Sequence, residues 1–321
     1  MMDDTRRSRI LETLVARRAG QFRLLSDLVR IRSENPPGDM AAVSGLTAAA
    51  LKALDFGVER HAVPDERAAE DGMTGVANLV VRHEFAAGPV VALSAFGDTG
   101  PAGDGWTRDP FDPVIEGGVL TGLGAVTKAD LAVYAHALAG LRDAGPDLSG
   151  TVELHVTFDG AGEGDLGPKW LLENGIVNPD YVVASGFSYG VGTSAMGDLQ
   201  MEVALAAMAP AGAAAAGDPM QAASRVLGAL YGLAEDYGGV RSSIPGIGSP
   251  TLVVGQVQGG ARPDRAPDEV VLRLDRRLIP DEDPAAAEEE LTRIIAETAS
   301  QEPDVVCRVR RLRLAPPMKP G

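Results

Sequence analysis

Apolar residues recur at helical spacing through residues 6–31, at Leu11, Leu14 and Val15 and again at Leu24, Leu25, Leu28 and Val29, and Pro36-Pro37 lies just beyond. The pattern predicts a helix there and a second over 40–56, closed by Gly57. Strand-like runs follow at 77–81 and 89–93, then a helix over 128–141. In the next run, 151–158, Val152, Leu154, Val156 and Phe158 share one face. Strands alternating with helices of this length predict an α/β domain with a largely parallel sheet. From Asp198 the rhythm changes. A strand at 199–205, a helix at 221–237, a strand pair at 251–257 and 269–274, a helix at 284–298 and a strand at 305–314 spell a ferredoxin-like βαββαβ unit.

Length and charge narrow the function classes. The chain has 321 residues, enough for two domains, and 29 basic against 45 acidic residues give a net charge of −16, which argues against nucleic acid and anionic membrane surfaces as partners. A solvated acidic surface is the simpler meaning of that charge. The single cysteine, Cys307, cannot form an intrachain disulfide, the first ten residues have no apolar core of a leader, and no run approaches the ~20 apolar residues of a membrane span. The expectation is a cytoplasmic protein.

The candidate chemistry lies in four short stretches. The first is Leu93-Ser94-Ala95-Phe96-Gly97-Asp98-Thr99-Gly100-Pro101, followed by Gly103-Asp104-Gly105-Trp106 and Asp109-Pro110-Phe111. The second is Gly122-Leu123-Gly124-Ala125-Val126-Thr127-Lys128, and the third is Thr157-Phe158-Asp159-Gly160-Ala161-Gly162. The fourth, after Pro179-Asp180-Tyr181-Val182-Val183, is Ala184-Ser185-Gly186-Phe187. Together they resemble the metal motifs of the dizinc family of aminoacylase, acetylornithine deacetylase, succinyl-diaminopimelate desuccinylase and glutamate carboxypeptidase. The resemblance covers nearly the whole chain. It implies an α/β catalytic-type domain with an inserted ferredoxin-like lid, two zinc ions, and hydrolysis of an amide bond.

Followed position by position, the resemblance also implies losses. Phe96 stands at a histidine ligand, Thr127 at the bridging aspartate, Gly160 at the general base, Ala161 at a carboxylate ligand, and the stretch 184–187 offers no carboxylate. Zinc takes imidazole, thiolate or carboxylate donors, typically four per ion, and a two-metal site holds its ions within ~4 Å of one another. Phenylalanine, threonine, glycine and alanine supply none of that, and glycine has no side chain to act as a base. Asp98 survives, in the place of a carboxylate that orients the histidine ligand. The expected cofactor is therefore none, against two zinc ions for the family.

The lid reads the same way. The stretch 209–217 lacks the family's histidine, and Arg262 stands at or near an asparagine that helps bind substrate. By contrast Leu274-Asp275-Arg276-Arg277-Leu278 is whole, and Arg277 matches an arginine that grips a substrate carboxylate, a task suited to a planar guanidinium. Pairing of Arg277 with a nearby surface acid is the bland alternative. The resemblance places the catalytic-type domain at 1–197, the lid at 198–314, and the start of a returning segment at 315–321. In the family that segment completes the catalytic sheet and carries a last ligand, so an open sheet edge is expected here.

Other candidates are weaker. His61, His83, His136 and His155 do not fall at ligand spacing, and a structural role is the expectation for each. Asp159, Glu163 and Asp165 could be imagined as ligands for a hard cation, but a solvated acidic turn is the simpler reading. Gly122-Leu123-Gly124 resembles a dinucleotide loop only superficially, since Thr127 occupies the third glycine position. Three functions survive. The first is a catalytically silent homologue serving as a binding or regulatory subunit, as a homodimer or a heterodimer with an intact homologue and with a small carboxylate as a possible ligand. The second is a metal-dependent amidohydrolase, acting on N-acyl amino acids or dipeptides, with a rebuilt site. The third is a decayed gene product.

Overall fold

A computed structural model describes residues 4–145, 147–162, 164–184, 186, 190, 192–208 and 217–319. The chain divides into two compact units, Met1–Phe187 and Ser188–Gly321.

In the first unit the long helical run at the N-terminus is two helices, α1 (Asp4–Ala16) and α2 (Arg18–Arg30), broken at Arg17. Leu24, Leu28 and Val29 turn the inner face of α2 to the core, and its last carbonyls are satisfied from outside the helix. Lys128 Nζ donates to the carbonyls of Leu28 at 2.9 Å and Ile31 at 3.4 Å. Helix α3 (Ala41–Ala53) buries Val43, Thr47 and Leu51, a stripe of i, i+4, i+8 spacing. Then come β1 (Val58–Ala62), α4 (Asp65–Glu70), β2 (Ala77–Ala86), β3 (Val90–Phe96), and a small hairpin, β4 (Val114–Glu116) with β5 (Val119–Thr121). Helix α5 (Ala129–Ala144) ends on Gly145 at φ 56°, the left-handed turn that glycine adopts without penalty. It leads into β6 (Gly150–Thr157), α6 (Pro168–Glu173) and β7 (Tyr181–Ala184).

The sheet order is β1-β2-β6-β3-β7. It is parallel where β3 meets β6 and β7, and antiparallel where β2 meets β1 and β6. The largely parallel sheet expected from the alternation of elements is thus realised on one half. There the crossover through α5 returns the chain in the same direction, whereas on the other half β1 and β2 run antiparallel over the short α4 connection. Leu79, Val81, Leu154 and Val156 on one face pack with Leu28, Leu51, Leu131, Leu138 and Phe158 in a single core. The rim strand β7 is the exception, with Tyr181, Val182 and Val183 exposed.

The second unit is β8 (Gly197–Ala207), α7 (Pro219–Tyr237), β9 (Thr251–Gly259), β10 (Glu269–Leu278), α8 (Pro284–Ala299) and β11 (Val305–Ala315). Its sheet runs β11-β8-β10-β9, antiparallel throughout, which is the ferredoxin-like order. Each helix starts on an aspartate followed by proline. Asp218 accepts from the amides of Met220 and Gln221, and Asp283 from that of Ala285. Strict alternation puts Leu199, Met201, Val203 and Leu205 against Val226, Leu230, Leu291 and Ile295 of the helices. Among the described residues no helix is long and apolar enough to cross a membrane.

Candidate functional site

The motif residues of the first unit converge where β3 and β6 end side by side, in register Phe96 to Thr157. Asp98 follows β3 by two residues and is 1% exposed. Its two oxygens accept from the backbone amides of Gly160 at 2.8 Å and Ala161 at 2.9 Å. The carboxylate therefore clamps the turn after β6. Burial raises its pKa, and the two amide bonds only partly oppose that. Asp159, also buried, organises the same turn from the other side. One oxygen accepts from the Leu166 amide at 2.9 Å, and the other from Asn35 Nδ2 at 3.3 Å.

Phe96 ends β3 with its ring against Gly160. A Cβ built at residue 160 would lie 2.5 Å from Phe96 Cδ1 and 2.9 Å from Phe96 Cβ, too close for any side chain. Thr127 Oγ1 donates to its neighbour Gly124 at 3.1 Å and to the Asp98 carbonyl at 3.4 Å. Lys128 is fully buried, and burial pushes its pKa down to about 8 against the pull of Asp98 and Glu34. Trp106 donates from Nε1 to the Ala102 carbonyl at 2.8 Å, pinning its own loop.

The minor candidates resolve into structure. Asp165 pairs with Lys169 at 2.9 Å on the surface, as a solvated acid would, but Asp159 is buried and its carboxylate holds backbone, so the solvated turn is corrected at that residue. Glu163, the stretch 209–216, Ser185 and Phe187 lie outside the described residues. His155 bonds Glu153 at 2.7 Å, His61 bonds Glu59 at 3.1 Å, His83 meets the Phe85 ring edge-on, and His136 is buried against Gly20. Leu123 donates to the Pro110 carbonyl at 2.7 Å, so the 122–124 segment is tied down as a tight turn. In the second unit Arg277 is half exposed, and its Nε lies 2.9 Å from Asp275 Oδ1. Arg262 pairs with Asp264 on the surface.

Three buried groups shape these regions through contacts that residue order does not announce. The carbonyl-capping role of Lys128 and the turn-organising role of Asp159 each depend on a partner distant in sequence. Arg276 is buried in the second unit, with its guanidinium carbon 3.8 Å over the Tyr237 ring and an ion pair to Glu282.

An α/β unit followed by a βαββαβ unit is an architecture this chain shares with solved structures such as an M20 family metallo-carboxypeptidase of Sulfolobus solfataricus, at TM-score 0.66 and 14% identity over 90% of this chain and 77% of that one. The model of peptidase family M20/M25/M40 matches residues 93–311, well over half of the chain, and the chain belongs to that family. Among curated relatives it is 35% identical over 164 residues to succinyl-diaminopimelate desuccinylase of Acidiphilium cryptum, covering 51% of this chain and 38% of that one. It is 37% identical over 139 residues to the same enzyme of Rhizorhabdus wittichii, covering 43% and 34%. The match thus spans well under half the length of these relatives. Human carnosine dipeptidase 1 shares the fold at TM-score 0.72 and 15% identity, over 98% of this chain and 81% of that one.

Family membership corrects the expected absence of a cofactor. The family includes a dinuclear metal binding peptidase of Bacillus subtilis, similar in fold at TM-score 0.61 and 16% identity over 94% of this chain and 75% of that one. The residues at the matching positions do not fit such a centre. The Phe96 ring has no lone pair to give, Gly160 and Ala161 have no donor side chains, and both Asp98 oxygens are engaged by amides. Among the described residues no group of three His, Cys, Asp or Glu side chains converges as a metal would need.

Proposed function

We propose that this M20-family chain is silent in the family's hydrolytic reaction and serves as a binding or regulatory subunit. One observation carries the reading: at the end of β6 the position of the base is a glycine whose side-chain space is filled by the Phe96 ring, while Asp98 is spent on the amides of the same turn. A water at this place meets no side chain able to take its proton. The ligand surface then falls to the second unit, where Arg277 has nitrogens beyond the one facing Asp275 and can offer them to a small carboxylate. Self-association through that unit supports a subunit role. Its rim strand β9 has no charged residue and exposes Val253 and Val257, so pairing of two copies across β9 would cover an open edge.

The names of the relatives back a second reading better than this one. The two curated relatives named above are desuccinylases, which favours a metal-dependent amidohydrolase acting on N-acyl amino acids or dipeptides. One assay separates the two. Purified chain is incubated with N-succinyl and N-acetyl amino acids and with dipeptides, with and without added zinc, cobalt or manganese. Release of free amine indistinguishable from buffer in every condition is the expected result. Turnover that scales with protein concentration would overturn silence and establish the amidohydrolase.

A further inference from the structure

The geometry points to Phe96 and Gly160 as one coupled unit, in which the aromatic ring is a positioning residue that holds the 160–162 turn in place for Asp98 and excludes every side chain from position 160. This goes beyond the functional reading and stands or falls separately from it, because it concerns packing at the strand ends whether or not the chain hydrolyses anything.

Three contacts carry the argument. The ring sits on the face of Gly160, so that a Cβ there would come within 2.5 Å of Cδ1 and 2.9 Å of Cβ of Phe96. The Cβ is fixed to the backbone of β3, and the ring atom can leave only if the whole ring changes rotamer. The same turn is gripped from the neighbouring position on the β3 side, where Asp98 accepts from the amides of residues 160 and 161 at 2.8 and 2.9 Å. A side chain at 160 would therefore push the turn away from the ring and lift both amides off the carboxylate. The constraint repeats one step on, since a Cβ at Gly162 would lie 2.9 Å from Asn35 Nδ2 in the Asp159 cluster. Gly160 is not in the left-handed region, so space alone, and no backbone requirement, demands glycine there. Two substitutions that look like independent losses in the sequence are thus one steric event: once residue 96 is phenylalanine, residue 160 has to be glycine.

The test is a double-mutant cycle read by thermal unfolding of the full chain. Gly160→Ala should lower the melting midpoint by several degrees in the native background and by markedly less in the Phe96→Ala background, where the ring contacts are gone and only the 2.9 Å approach to the Cβ of residue 96 remains, so that the two changes are non-additive. An equal drop in both backgrounds would overturn the coupling. If Gly160→Ala alone fails to fold, recovery of soluble Phe96→Ala/Gly160→Ala protein supports the coupling, and failure of that double variant while Phe96→Ala folds overturns it. Phe96→Leu serves as the second background should Phe96→Ala itself be unstable. A positioning role has its own readout in the hydrogen exchange of the residue 160 and 161 amides. Exchange should quicken at least tenfold in Phe96→Ala, without change at β6 amides, and should slow again in Phe96→Leu. Unchanged protection of those two amides in Phe96→Ala would show that Asp98 holds the turn unaided and that the ring only fills space.

Discussion

The strand ends of the first unit and the sheet of the second have both kept their scaffold, but they spend their charged groups differently. In the first unit Asp98, Asp159 and Lys128 are buried and each binds backbone: two turn amides, one amide with an asparagine, and two helix-terminal carbonyls. In the second unit the charges of the open sheet face bind one another. Arg273 and Arg310 share Glu202, each at 2.9 Å, and Arg277 faces Asp275. Backbone-bound charges fix loops, and removing one leaves a buried amide or carbonyl unpaired. Exposed ladders are screened by water and contribute little. The carboxylates at the strand ends of the first unit thus act as internal fasteners, whereas the second unit presents guanidinium groups to the outside.

The sharpest way to break this comparison is through the cores beneath the two regions, which are separate. Phe158→Ala in the first unit and Leu272→Ala in the second each remove a fully buried side chain, and each should cost about 4 kcal/mol in its own unit. Scanning calorimetry should show two transitions, with each variant lowering a different one. A single transition lowered by both variants would mean that the two units do not unfold independently.

Next in size is Arg276, whose side chain is fully buried in the second unit. Arg276→Ala leaves Glu282 with only the Ile279 amide and Tyr237 without its cover, an expected loss of about 3 kcal/mol. Arg276→Met, an apolar side chain of similar length, should recover most of it, since a buried ion pair is often replaceable by packing. Urea titration followed by far-ultraviolet dichroism measures both. Recovery no better than with alanine would show that the charge itself is required there. Smaller again is Asp98→Ala, which removes two part-buried hydrogen bonds to a charged acceptor at a cost of about 2 kcal/mol, lessened because the carboxylate no longer has to be desolvated. If Asp98→Ala is as stable as the native chain, Asp98 is not a fastener and the contrast between the two regions fails.

Much of this architecture was legible in the amino-acid order. The second unit is regular, its strands alternate, and Asp-Pro pairs announce both helices, so periodicity alone gives its six elements. In the first unit the long elements were readable, while α4 and α6, of six residues each, are too short for a period to show. The break at Arg17 carries neither glycine nor proline and left no mark in the pattern. At the site the residue types were visible and their partners were not. Asp98 reads as a leftover of metal chemistry until its oxygens are seen on amides 62 and 63 residues away. Asp159 reads as a solvated acid until burial and Leu166 are taken into account. Side-chain periodicity reports which face is inside; it does not report which backbone group a buried charge will find.

The smallest expected effect is a pH slope confined to one unit. All four histidines lie in the first unit, and burial lowers the pKa of His83, His136 and His155 below the ordinary 6.5. For His155 the ion pair with Glu153 pulls the other way, but desolvation is the larger cause and the nearby Arg82 adds to it. A histidine with a depressed folded pKa binds its proton more readily when unfolded. Its contribution to stability is therefore complete above about pH 6.5 and is lost as pH falls from there toward the folded value. Asp98 and Asp159, whose pKa values are raised by burial, act with the opposite sign at lower pH, because protonation relieves the cost of burying their charge. The second unit has no histidine, and its Glu202 and Asp281 titrate below their usual values, Asp281 at about 2, outside this window. Between pH 7.5 and 5.5 the melting transition of the first unit should fall while that of the second stays level. His155→Gln, which keeps an amide donor for Glu153, should flatten part of the slope. An equal slope in both transitions, or one untouched by His155→Gln, would place the titrating groups elsewhere and remove His155 from the account.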